Sequence, residues 1–322
     1  MLLLQDNDDY SSKASKLLRQ GIQQQQAGDL SAAIKSLQES LALSQAFGGL
    51  ETQTETLSYL ALIAYTSEDY KSAISYSRQC LSLTKGSSDL RVRVQAFSHL
   101  GNSYRHLNEH EKAIEFLQEC LKIAQHLQDK RTQVVALNNL GLVYKALGKI
   151  AQAIEYQQQS LEFVRELEDH WGEEQVLKNI GNAWYALSDY PKAIAYYEQC
   201  VTLARLNNRR NASQVLKNLG NAYYAIRDYA KTIIYYEERL HIARELNDKR
   251  SEEQSLSSLG VACSALADYT KAITYYEQRL NLARLVKDRR SEQQALTSLR
   301  VACSALGDNA KAMQYQQQLS NE

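Results

Sequence analysis

Leu-Gly pairs or their equivalents return through this chain at Gly21, Ala61, Gly101, Gly141, Gly181, Gly220, Gly260 and Arg300. The interval is 40 residues, broken once by a single deletion between Gly181 and Gly220, near Arg205-Leu206. A fixed period of this size marks a repeat array, in which each unit buries its apolar faces against its neighbours and not in one central core. The period overrides the two-domain expectation that 322 residues would otherwise raise.

Each unit divides into two amphipathic halves. Between about Lys249 and Val286, the first half carries Leu256, Leu259, Gly260, Cys263 and Leu266, and the second carries Ala272, Ile273, Tyr276, Leu280 and Ala283. Intervals of three and four are helical, not the alternation of a strand. A short connector ending in Asp separates the halves at Asp29, Asp69, Asp189, Asp228, Asp268 and Asp308, with Glu109 and Lys149 as exceptions. Asp there can cap the second helix, and the one proline, Pro191, falls in a first helical turn where its missing N–H costs nothing. The expectation is eight helical hairpins over 10–322, with Met1 to Asp9 as a flexible tail. Gly220 and its equivalents let helices approach closely, as do Ala33, Ala73, Ala113, Ala153, Ala193 and Ala272 on the second helices, where Thr232 is the exception. The regular stripe Tyr196-Tyr197, Tyr235-Tyr236 and Tyr275-Tyr276 reads as core.

These residues resemble the tetratricopeptide repeat family over nearly the whole chain. The family pattern of Leu-Gly, Tyr, Ala, an aromatic and Ala appears as Leu219-Gly220, Tyr223, Thr232 in place of the first Ala, Tyr236, and Arg239 in place of the second. The unit is longer than the common form of the repeat and is similar to those of kinesin light chain, of Pins/LGN-type proteins and of bacterial arrays. The resemblance implies an all-α, right-handed superhelical solenoid whose first helices form the concave wall. It also implies a role in binding extended peptides or helices of other proteins.

Composition narrows the partner. Lys plus Arg equals Asp plus Glu at 37 each, so no net field draws nucleic acid or an anionic membrane. No apolar run approaches a membrane span and the N-terminus lacks a signal-peptide pattern, which points to a cytoplasmic protein. Cys80, Cys120 and Cys200 share one repeat position and Cys263 and Cys303 another, the register of packing and not of redox or metal chemistry. The histidines stand with no nucleophile or metal-ligand spacing; His106 and His110 straddle a connector. Neither an enzyme nor a cofactor is expected.

If Leu219, Gly220 and Tyr223 pack, then Gln214, Lys217, Asn221 and Tyr224 share the remaining stripe of their helix. The preceding unit offers Gln175, Lys178, Asn182 and Tyr185 in the same places, and earlier units offer Asn102, Arg105, Asn138 and Lys145. Amides can pair with the backbone of an extended ligand, Lys and Arg favour carboxylates, and Tyr gives rigid contact area. The expected partner is another protein, held by an extended acidic segment in a concave, cationic, amide-rich wall. The alternatives are a sensor domain for a signalling peptide or small ligand, and an assembly module that self-associates through the more apolar terminal repeats. A further column, Arg91, Arg131, Arg210, Arg250 and Arg290 with Trp171 replacing one member, reads as a repeat-to-repeat polar ladder with Asp89, Asp129, Asp248 and Asp288, or as an exposed basic edge.

Overall fold

Each period folds as two helices joined by a turn of two or three residues. The computed structural model describes residues 2–85, 90–207 and 209–320, and among them are sixteen α-helices and no strand. The chain divides into two compact units of the same construction, one ending at Glu168 and the other beginning at Asp169, where the sequence reading takes 10–322 as one solenoid. The first unit holds α1 (Leu2–Gln26), α2 (Leu30–Phe47), α3 (Leu50–Thr66), α4 (Tyr70–Leu83), α5 (Leu90–His106), α6 (His110–His126), α7 (Lys130–Ala146) and α8 (Ile150–Glu166). The second holds α9 (His170–Ala186), α10 (Tyr190–Asn207), α11 (Arg209–Ala225), α12 (Tyr229–Glu245), α13 (Lys249–Ala265), α14 (Tyr269–Val286), α15 (Arg289–Leu306) and α16 (Asn309–Ser320). Helix α1 begins at Leu2, inside the stretch expected as a flexible tail; no Gly or Pro interrupts the chain between residues 2 and 20, so nothing stops the helix from extending.

The connectors work as the sequence suggests. Asp69 accepts from the Ser72 N–H at 3.1 Å and Asp248 from the Ser251 N–H at 3.0 Å, satisfying donors that a helix start leaves free. Glu109 and Lys149, the two exceptions, make no side-chain cap. The residue before each Asp is left-handed, as at Glu68 (φ 62°) and Ala267 (φ 58°), and the Asp N–H closes the preceding helix, that of Asp69 reaching the Ala64 carbonyl at 2.9 Å.

Close approach within a hairpin is equally plain. A Cβ on Gly220 would meet the Tyr236 ring at 2.6 Å, and one on Gly260 the Tyr276 ring at 2.3 Å. Tyr197, Tyr236 and Tyr276 are buried accordingly, and the small second-helix residues from Ala33 to Ala272, with Thr232, are buried too. Within each unit a first helix also lies against the next first helix, as α3 does on α5 and α11 on α13, so the first helices form the tighter, inner row.

Candidate functional site

One position in the second helices links the two rows. Ser40, Cys80, Cys120, Ser160 and Cys200 fall there, all buried, and each donates to a first-helix carbonyl 26 residues earlier. Cys120 Sγ reaches the Val94 oxygen at 3.6 Å and Ser40 Oγ the Ala14 oxygen at 2.8 Å. Burial pushes the Cys120 and Cys200 thiols up to about 12, which makes them packing groups and not nucleophiles near neutral pH.

In α12 and α14 the same position holds Arg239 and Arg279, which are 2% and 6% exposed. They line a groove of about 670 Å³ in the second unit, together with Lys217, Arg250 and Arg290; its carboxylates are Glu253 and Asp288. Five basic side chains therefore face two acids. Arg279 forms an ion pair with Glu253 at 2.6 Å. Arg239 instead donates to neutral oxygens of α13: Nη1 to the Ser251 carbonyl and Ser255 Oγ, and Nη2 to Ser251 Oγ and Gln254 Oε1, at 3.0–3.3 Å. Its Nε–H finds no partner among the described residues. Desolvation lowers the Arg239 pKa, partly opposed by Tyr236 and Asp248.

The residues named from sequence divide between the units. In the second, Tyr185 and Tyr224 are exposed on the inner row, and Gln214 is exposed with its amide on Asn218 Oδ1. Lys178 is half-buried and donates to Gln175 Oε1 at 2.6 Å, and half-buried Lys217 lines the groove with Asn221. The amides are less free than expected. Tyr197 donates its hydroxyl to Asn182 Oδ1 at 2.7 Å and Tyr236 donates to Asn221 Oδ1 at 2.5 Å, so packing consumes both carbonyls and leaves the amide N–H groups for a ligand. Asn182 Oδ1 also accepts from Asn218 of the next first helix at 3.0 Å.

In the first unit Asn102 is corrected outright. It is 6% exposed, beneath the wall and not on it, with Nδ2 near Ser98 Oγ at 3.5 Å. Leu117 stands where the second unit places a tyrosine, so Asn102 Oδ1 meets no hydroxyl. Arg105 is half-buried with Nη2 at 2.7 Å from the His106 ring, Asn138 is half-buried and its carbonyl accepts from Gln157, and burial lowers the Lys145 pKa.

The aspartates beside the arginine column are turned to their own helix starts, and a separate row of polar rungs runs along the second helices. Asp129, Asp248 and Asp288 cap their own helices, Asp89 lies outside the described residues, and Trp171 is 66% exposed. Arg250 and Arg290 line the groove instead. The rungs join second helices: Tyr275 donates to Glu237 at 2.7 Å and Tyr315 to Glu277 at 3.1 Å, each across 38 residues, while the equivalent Glu198 accepts from Tyr223 at 2.6 Å. Sequence reasoning recorded Arg239 as a departure from the repeat pattern but not as a groove residue; the signal available was a long cation at a position otherwise held by Cys or Ser.

No helix among the described residues is long and apolar enough to cross a membrane. A search of curated protein sequences returns no match. Among solved structures the chain is similar to the apo form of RapI, at 12% identity and a TM-score of 0.74 over 95% of this chain and 85% of that one. It is also similar to the signal transduction ATPase with numerous domains PH0952 from Pyrococcus horikoshii, which carries a tetratricopeptide repeat sensor, at 16% identity and a TM-score of 0.68; 91% of this chain spans 45% of that one. The repeats of a Podosopora anserina putative kinesin light chain match at 18% identity and a TM-score of 0.52 over 61% of this chain and 96% of that one. These identities speak for fold alone. The tetratricopeptide repeat model matches four overlapping stretches, 92–166, 132–206, 172–245 and 211–285, more than half of the sequence. With its helical hairpins, close-approach glycines and capped turns, the chain belongs to the tetratricopeptide repeat family.

Proposed function

We propose that the protein is a non-catalytic interaction scaffold that binds an extended acidic segment of another protein along the inner row of its second unit. The observation that carries this reading is the groove in which Lys217, Arg239, Arg250, Arg279 and Arg290 face only Glu253 and Asp288. The chain as a whole has no net charge, so the excess is local and favours a ligand that brings carboxylates. Lys178, Gln175 and the amide N–H groups of Asn182 and Asn221 extend the recognition along α9 and α11, with Tyr185 and Tyr224 as exposed aromatic contacts. In the first unit Arg105, Asn138 and Lys145 offer weaker contacts of the same class.

Fluorescence anisotropy with labelled hexaglutamate tests the reading, with hexaglutamine as the uncharged control. Hexaglutamate binds, more weakly as salt rises, and Lys178→Glu combined with Lys217→Glu lowers its affinity by about a hundredfold while helicity is retained. Binding that survives this double reversal contradicts the groove. A second reading, self-association through the terminal repeats, is favoured by Val261 and Val301, exposed by 41% and 54%; mass measured by light scattering over a concentration series separates the two. A regulatory sensor role rests on the likeness to PH0952 and would appear as a change in scattering radius when hexaglutamate binds.

A further inference from the structure

Arg239 and Arg279 occupy the same repeat position 40 residues apart, and their surroundings differ chiefly at two places, Ser213 against Glu253 and Ser255 against Ala295. Each guanidinium donates Nη2 to a glutamine 15 residues ahead, Arg239 to Gln254 at 3.0 Å and Arg279 to Gln294 at 2.7 Å. Arg279 turns its side edge onto a carboxylate: Nε donates to Glu253 Oε1 at 2.7 Å, and Nη2 lies 2.6 Å from the same oxygen. Glu253 precedes Arg279 by 26 residues; the residue 26 before Arg239 is Ser213. The corresponding edge of Arg239 therefore meets no acid, and its Nε–H has no acceptor among the described residues. The nearest charges do not supply one: Asp248 is engaged at the start of α13 with the Ser251 N–H, and Lys217 and Arg250 add positive charge to the same groove.

A guanidinium taken out of water and held only by neutral oxygens is under-compensated, and a paired carboxylate is its strongest complement. We propose that the Nε–Nη2 edge of Arg239 receives a carboxylate of the bound segment, with Gln254 keeping its place, in the geometry that Glu253 and Gln294 already adopt on Arg279. This inference rests on the acidic-segment reading and sharpens it. Arg239 becomes the buried specificity residue of the groove, whereas Arg279 is occupied from within. Lys178 and Lys217 attract the ligand; Arg239 selects a side chain that can reach inward and set a carboxylate oxygen on that edge.

The test follows arginine Nε–H signals of the full chain by NMR during titration with hexaglutamate, the Arg239 signal being assigned by its loss in Arg239→Lys. That signal shifts on saturation and the Arg279 signal does not. Ser213→Glu supplies the acid from within, as Glu253 does one repeat later. It moves the Arg239 signal to the ligand-bound position without peptide and weakens hexaglutamate binding at least tenfold, whereas Ser213→Gln stays within twofold of wild type. Hexaglutamate binding with an unmoved Arg239 signal overturns this proposal and leaves the acidic-segment reading standing. A Ser213→Gln loss equal to that of Ser213→Glu overturns it as well, since bulk would then be the cause. No hexaglutamate binding by the wild type removes both.

Discussion

The two units build the same hairpin and use one position of it differently. In the first, Ser40, Cys80, Cys120 and Ser160 fill a buried slot with a small donor that closes onto a backbone carbonyl. The second begins the same way with Cys200 and then turns to Arg239 and Arg279. What admits the larger, charged side chain is the facing helix: Ser251, Gln254 and Ser255 offer oxygens to Arg239, where the residues at the same offsets from Cys120 are Thr132, Val135 and Ala136. Because each hairpin answers mainly to its neighbours, a slot can pass from packing to recognition without redesign of the array.

The largest expected effect comes from forcing the first unit to behave like the second. Cys120→Arg places a guanidinium opposite Val135 and Ala136 and destabilises the first unit by about 3–5 kcal/mol, the cost of an uncompensated buried charge. Adding Val135→Gln and Ala136→Ser recovers part of the loss in urea unfolding followed by circular dichroism. No recovery would mean that the facing oxygens are not what distinguishes the units. Gly220→Leu ranks next, driving a side chain into the Tyr236 ring and costing about 3 kcal/mol in the second unit. Both tryptophans, Trp171 and Trp184, belong to that unit, so their fluorescence isolates its midpoint; an unchanged midpoint would remove the close-approach role.

Acid gives the smallest contrast. Asp189 is held below its ordinary pKa by its hydrogen bond from Lys192, and Asp248 and Asp288 by the Ser251 and Ser291 N–H groups; Asp69 is the counterpart in the first unit. A folded pKa below the unfolded value means stability that is present above about pH 4 and lost as pH falls through the folded pKa. Tryptophan fluorescence, which reports the second unit, set against circular dichroism of the whole chain, is therefore expected to show the second unit losing stability below about pH 4 by more than the first. Equal losses would place the acid sensitivity outside the caps.

The hairpins, their capping aspartates, the glycine contacts and the packing role of the cysteines were legible because each repeats in register and needs only local chemistry. The candidate wall was legible in part. Lys178 and Lys217 belong to the inner row of the second unit, and Lys217 lines its groove. Helical spacing alone could not show that a tyrosine hydroxyl 15 residues ahead would take the Asn182 and Asn221 carbonyls, or that Leu117 would leave Asn102 buried. Arg239 and Arg279 stayed hidden for the opposite reason: a repeat pattern directs attention to what recurs, and here the chemistry lies in what departs from it.

The tyrosine–glutamate rungs bear on how such a chain can lengthen. Every rung takes its acceptor from one hairpin and its donor from a later one, so a duplicated or excised segment preserves the row only in whole 40-residue steps. The one short step lies between Gly181 and Gly220, and there the rung changes hands: Glu198 is met by Tyr223 of a first helix and not by a second-helix tyrosine. Tyr223 can close that rung because the same position in the next two first helices holds Cys263 and Cys303, so the identity of one first-helix residue decides which row of helices supplies the hydroxyl.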